Sequence, residues 1–194
     1  MTLDIQPLTE DRWPDLEAIF RAKGCSIARG CWCMYYRRSG KAPMLQPGEN
    51  QSSRNRADLY ALASSEVPPG LIGYRRGVPV GWVSLGPRED FAKLARSTVM
   101  KPVDPLPVWS IICFVVPSQY RGQGVARQLL DGAIEFAKAQ GVQWLEAYPV
   151  DLFETPDAES LWFGTTTMYD QTGFHEVARR KPGRPVLRLK LAES

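Results

Sequence analysis

Histidine is almost missing from this chain: His175 is the only one among 194 residues. A histidine-rich metal centre is therefore excluded, and a histidine base has one candidate. His175 follows Phe174 in an alternating pattern that turns its side chain away from the core. Also missing is any apolar run near the ~18 residues that a membrane-spanning helix requires. Neither sign of charge is in excess, since 24 Lys and Arg against 21 Asp and Glu leave a net +3. With no basic arm, that balance does not support a nucleic-acid partner. The opening "MTLDIQPLTED" is polar and acidic, unlike a secretory signal. A cytoplasmic location with no membrane partner is expected.

Cysteine is scarce as well, limited to Cys25, Cys31, Cys33 and Cys113. In a reducing compartment these are thiols. Cys31 and Cys33 stand in "GCWCMYYRR", one residue apart. Structural zinc favours paired C-x₂-C ligands, and thiol–disulfide redox motifs favour C-x-x-C. The C-x-C spacing fits neither. No metal is expected, and the cysteines read as small buried hydrophobes.

What is present is a globular composition, 44% hydrophobic and 23% charged. It suits one α/β domain spanning 1–194. Leu3 and Ile5 mark a first strand. "EDRWPDLEAIFRAKG" predicts a helix with Thr9 as N-cap and Gly24 as its stop, and "SSRNRADLYALASS" predicts a second. "GLIGYRRGVPVGWVSLGPR" reads as a hairpin turning at Arg76-Gly77. "VWSIICFVVP" is an apolar run ended by Pro117, as a buried central strand requires. The clearest helix is "GVARQLLDGAIEFAKAQG", where Ala126, Leu129, Leu130, Ala133, Ile134 and Ala137 recur at helical spacing. The strand "VQWLEAYPV", a short helix in "GTTTMYDQTG" and a hairpin turning at Pro182-Gly183 complete the order.

The informative junction lies between the apolar strand and the long helix: Gln119-Tyr120-Arg121-Gly122-Gln123-Gly124-Val125-Ala126. Helix N-termini present unpaired N–H groups and the positive end of the helix dipole. Glycines let backbone amides approach an anion closely. Together these features describe a phosphate cradle, although a plain glycine turn has the same local pattern. A Walker loop is excluded because no Lys-Ser/Thr follows Gly124. The dinucleotide fingerprint needs a third glycine, where Arg127 stands.

Gln119-x-x-Gly122-x-Gly124, after a strand ending Val-Pro and before an amphipathic helix, resembles the pyrophosphate motif of the GNAT acyl-CoA N-acyltransferases. Tyr169-x-x-x-Gly173-Phe174, ahead of a terminal hairpin, resembles that family's last helix and the following strand. The element order agrees over nearly the whole chain. The resemblance implies an α/β GNAT fold: a central mixed, largely antiparallel twisted sheet of six to seven strands, flanked by about four helices. It also implies acetyl-CoA as acyl-donor substrate, an amine acceptor from a small molecule or peptide, direct attack in a ternary complex and no metal. Strands 109–116 and 142–148 would splay apart. The pantetheine arm would pair with backbone at Phe114, Val115 and Val116. Gln119 and the amides of Arg121, Gly122, Gln123, Gly124, Val125 and Ala126 would hold the pyrophosphate. An N–H at Val115 or Val116 would face the thioester oxygen.

The same resemblance assigns Tyr169 as proton donor to the departing CoA thiolate, because a phenol with pKa about 10 stays protonated at neutral pH. For the base, Glu146 is expected: a carboxylate sharing a strand face with Trp144 and Tyr148. Asp151 is the second choice. Acceptor residues are expected in and opposite "GCWCMYYRR". Trp32, Tyr35 and Tyr36 supply flat walls, Arg37 and Arg38 offer an anion site, and Tyr148 and Asp151 lie across the gap. Phe153, Trp162, Phe163, Glu154, Asp157 and Glu159 extend that aromatic and acidic rim. The assembly expected is a monomer or homodimer. Two other functions fit the same motifs: an acyl-CoA sensor without turnover, and a toxin-like member that acetylates aminoacyl-tRNA. The latter predicts a concentrated basic surface, which a net charge of +3 does not supply.

Overall fold

Alternating apolar residues build one seven-stranded sheet in the order β1-β2-β3-β4-β5-β7-β6. The strands are β1 (Asp4–Pro7), β2 (Gly70–Arg75), β3 (Val78–Pro87), β4 (Trp109–Val115), β5 (Trp144–Ala147), β6 (His175–Arg179) and β7 (Pro185–Lys190). The computed structural model describes residues 2–38, 44–152 and 158–191. β4 and β5 run parallel, and the other neighbouring strands are antiparallel. Arg76 (φ 51°) and Gly77 (φ 77°) turn the β2–β3 hairpin where expected, since a two-residue turn needs positive φ at both positions.

The helices are α1 (Trp13–Arg21), α2 (Ser26–Cys31), α3 (Gln51–Ala61), α4 (Val125–Ala139) and α5 (Thr166–Tyr169). The sequence pattern predicts four of them; α2 is the addition, and it falls on the cysteine-rich stretch. A 3-10 turn at Glu10–Arg12 precedes α1. Thr9 makes no capping bond to the backbone and instead accepts one from Arg12 Nη1 at 3.1 Å. Asn50 caps α3 in a reciprocal box with Ser53. No helix among the described residues is long and apolar enough to cross a membrane.

The helices cover both sheet faces. On one face, Leu16, Ile19 and Phe20 of α1 pack with Trp32, Leu59, Trp82, Ile112 and Tyr148. On the other, Val125, Leu129, Leu130, Ala133 and Ala137 of α4 pack on Leu71, Val83, Ile111 and Phe114. Fully buried Leu129 lies against Gly73 and Gly81, whose missing side chains let α4 approach the sheet. That seat fixes where α4 begins, and so where its N-terminus points. Leu129→Ala is expected to cost about 2–5 kcal/mol in urea unfolding. A loss below about 1 kcal/mol would contradict this account of how α4 is held.

Candidate active site

The parallel β4–β5 ladder is short. It runs Trp109–Leu145, Ser110–Glu146 and Ile111–Ala147, then stops. Two local features part the strands. On β4, Ser84 of β3 pairs with Cys113 and Leu85 with Ile111, so Ile112 is a bulge residue. A bulge re-aims a strand, and here Ile112 and Cys113 both join the core on the α1 side. Past β5, Val150 takes new partners: its N–H donates to the Gly164 carbonyl at 3.0 Å, and its carbonyl accepts from the Thr166 N–H at 3.1 Å. Beyond Ile111, β4 has no strand partner on its β5 side among the described residues, and the 3-10 turn Ala158–Phe163 packs against β4.

At the end of β4 the chain enters the glycine loop. Gly122 (φ 68°) and Gly124 (φ 72°) occupy the left-handed region, where a side chain is strained. No side chain caps α4 at Gly124, and no acidic residue lies in its first turn. Its leading N–H groups are therefore left for an anion. Arg121 braces the loop: its Nε donates to the Val116 carbonyl at 2.9 Å, and its Nη2 to the Gly24 carbonyl at 2.6 Å. Gln123 donates to the Gln119 carbonyl at 2.8 Å and accepts from Arg75 at 2.6 Å. Residues 121–124 are exposed, Val125 is buried and Ala126 is half-buried. The predicted phosphate residues thus come together on one exposed turn, next to the backbone of Phe114, Val115 and Val116. The side chain of Phe114 packs towards α4 and that of Val115 towards α1.

Glu146 is a correction. It is fully buried. Its Oε2 accepts from Arg188 Nη2 at 2.7 Å and its Oε1 from the Tyr148 hydroxyl at 2.8 Å. Arg88 Nη1 stands 3.8 Å from Oε1. Arg188 also grips Asp104 at 2.6 and 3.2 Å, which holds that carboxyl below its usual range. A base must reach the attacking amine, and Glu146 is fully buried with its oxygens engaged by Arg188 and Tyr148. Glu146 and Arg188 face each other across β5 and β7, so the pair fixes sheet register at the last rungs before the β4–β5 ladder stops. Tyr148 belongs to the same net: its hydroxyl lies 2.9 Å from Ser110 Oγ. Burial and the Glu146 charge push its pKa well up.

Tyr169 is buried, and its hydroxyl donates to the Phe163 carbonyl at 3.1 Å. Burial alone pushes its pKa far up, so it is a protonated phenol across the neutral range. On the acceptor side, Trp32 is a second correction. It is 2% exposed, stacked on Trp13 at 5.8 Å and packed on Phe20 at 5.0 Å, and its indole N–H donates to Ser52. Both ring faces are covered, so it is core rather than pocket wall. Arg37 is tied to Asp90 at 3.3 Å and to the Pro69 carbonyl, and Arg38 to Asp58 at 2.5 Å. Each thus already pairs with a carboxylate.

Tyr36 packs on Phe163 at 5.5 Å, beside half-buried Trp162. Burial pushes its pKa up to about 12. Tyr35 is 58% exposed, with the Lys93 ammonium 3.4 Å from its ring centroid. Asp151 lies 3.9 Å from Arg179 and borders a cavity of about 420 Å³ with Arg179, Arg180, Lys181 and Pro182. His175 is exposed, as its place in the pattern predicts. Phe153, Glu154 and Asp157, and the Glu159 side chain, lie outside the described residues. All four cysteines are free thiols, and no metal-binding cluster occurs among the described residues. Hydrogen bonding to Cys113 and burial push the Cys33 thiol pKa well up, so Cys33 is no nucleophile.

Comparisons with known proteins meet this geometry. The family model described as "Acetyltransferase (GNAT) family" matches residues 33–154. No curated protein matches the sequence. The PaiA N-acetyltransferase of Thermoplasma acidophilum, solved with coenzyme A, is 14% identical with a TM-score of 0.53, over 98% of this chain and 99% of that one. YncA of Salmonella typhimurium, solved with acetyl-CoA, is 16% identical with a TM-score of 0.54, over 100% and 96%. The histone acetyltransferase HPA2 and related acetyltransferase of Corynebacterium glutamicum gives 16% and 0.57, over 99% and 98%. At such identities the likeness is one of fold.

The reassignment of Glu146 has a measurable consequence. Arg188→Met leaves a buried carboxylate without its nearest cation and is expected to cost about 3–5 kcal/mol in denaturant unfolding. A loss under about 1 kcal/mol, the size of a surface pair, would contradict it.

Proposed function

The chain belongs to the GNAT acetyltransferase family, and on that premise we propose that it transfers an acetyl group from acetyl-CoA to a primary amine of a small molecule or peptide. The observation that carries this reading is the β4 edge that β5 leaves unpaired, beside the uncapped, glycine-led N-terminus of α4. One element offers hydrogen bonds to an extended arm, and the other offers N–H groups to a pyrophosphate. Acetyl-CoA supplies a thioester already activated for attack, so the chain's task is placement, charge stabilisation and proton handling.

Placement falls to the backbone of 114–116 for the pantetheine arm and the amides of 121–126 for the pyrophosphate. An N–H at Val115 or Val116 stabilises charge developing on the acyl oxygen. Tyr169 donates its proton to the departing thiolate. Its present acceptor, the Phe163 carbonyl, holds the hydroxyl oriented. With Glu146 enclosed by arginines, the amine loses its proton to solvent water. Retention of Tyr169 and of the full glycine loop favours turnover over acyl-CoA sensing.

The test is release of CoA from acetyl-CoA on addition of an amine panel, read by chromatography so that the protein's own thiols do not contribute. Tyr169→Phe is expected to lower kcat by about 10²-fold while leaving the Kd for acetyl-CoA within about twofold. An unchanged kcat in the pure variant would remove Tyr169 from the proton-donor role.

A further inference from the structure

Most arginines of the chain that leave the solvent are tied to carboxylates or carbonyls: Arg37 to Asp90, Arg38 to Asp58, Arg188 to Glu146 and Asp104, and Arg180 to three carbonyls. Arg184 differs. It is half-buried at the tip of the β6–β7 hairpin and has no acidic partner among the described residues. Its Nε is buried without a hydrogen-bond partner, and Nη2 reaches only the Met100 sulfur at 3.9 Å. Burial accordingly depresses its pKa. A guanidinium partly removed from water, with no acidic partner among the described residues, is costly, and a bound anion would offset that cost.

Its position gives the anion a context. The Asp151 N–H donates to the Gly183 carbonyl at 2.9 Å, which docks the hairpin tip against the chain leaving β5. By strand alternation Arg184 shares a face with Val186 and Arg188, the face that also carries Tyr148 and Ile112. The Arg184 Cζ lies 5.1 Å from the Phe163 ring centroid, and Tyr36 packs on the same ring from another side. Tyr36 also packs against the core cluster that holds Cys113, on the bulged edge of β4. Arg184, Phe163 and Tyr36 thus form a cationic, aromatic corner adjoining the place where the acyl group is expected.

We propose that Arg184 binds a carboxylate on the acceptor, so that the substrate is an amine that also carries a carboxylate, of the amino-acid type. This rests on the acetyltransferase reading above. A planar guanidinium engages a planar carboxylate through paired N–H donors, and the half-buried ring of Tyr36, held by buried Phe163, flanks a short spacer between the two charged ends.

The test compares the common amino acids with their methyl esters and with phosphorylated amines, using acetyl-CoA and wild type, Arg184→Met and Arg184→Lys. Met keeps the length and the contact with Phe163, and unchanged unfolding midpoints show that each variant folds. The expected result is an amino acid acetylated with kcat/KM at least about tenfold above its ester, a preference lost in Arg184→Met through acceptor KM and partly kept in Arg184→Lys. Ester rates should not change. Esters equalling acids, phosphorylated amines outranking both, or a preference surviving in Arg184→Met would each overturn the assignment while leaving the acetyltransferase reading intact. A second arm, calorimetry of N-acetyl amino acids, separates the two readings if no amine is acetylated. Binding to wild type weakened about tenfold in Arg184→Met would uphold the carboxylate site and overturn the reaction. Equal or absent binding would overturn the site as well.

Discussion

Three rungs into their ladder, β4 and β5 stop hydrogen bonding, and everything assigned to the active site depends on that parting. A parallel sheet normally satisfies its backbone by continuing. Here each strand is given a reason to leave. The Ile112 bulge turns β4, and Val150 pairs with 164–166 instead of with β4. The buried Glu146–Arg188 pair stands just before the break. It locks β5 to β7, so β4 loses β5 as a neighbour while the sheet beyond stays in register. A buried ion pair contributes little net stability. In this position its value is geometric.

The second part of the site is made by α4. Its apolar stripe and the glycines of β2 and β3 set how closely it sits on the sheet. That seat aims its uncapped N-terminus and the Gly122–Gly124 turn along the line of β4. The arginine braces from Arg121 to Gly24 and Val116 tie this turn to the α1–α2 connection and to the end of β4. The proposed anion cradle, the β4 edge that β5 leaves unpaired and the Tyr169 phenol are consequently fixed to one rigid frame. Such placement is what acyl transfer from an activated thioester requires.

What is legible in the sequence is local. The stripe of α4, the apolar run of β4, the Arg76-Gly77 turn and the glycine loop depend on neighbours a few residues apart, and each is found where its pattern places it. The failures concern distant partners. Glu146 reads as a lone carboxylate among aromatics because Arg188 lies 42 residues further on. Arg37 reads as free because Asp90 is 53 residues away. Trp32 and Cys33 adopt left-handed backbone (φ 47° and 53°) after the short helix α2. That turn carries the Trp32 indole inward between Trp13 and Phe20, and no periodicity announces it. Arg184 draws no notice in the sequence because nothing in "KPGRPV" separates a solvated hairpin arginine from a half-buried one with no acidic partner among the described residues.

The central claim is that the β4 edge and the glycine loop form one binding site for coenzyme A. A titration of the isotopically labelled protein with CoA, followed by backbone amide NMR, tests it most directly. The account predicts that the largest shifts fall together on 113–116 and 121–126 and saturate with one dissociation constant. Shifts confined to other regions, or none at millimolar CoA, would contradict it.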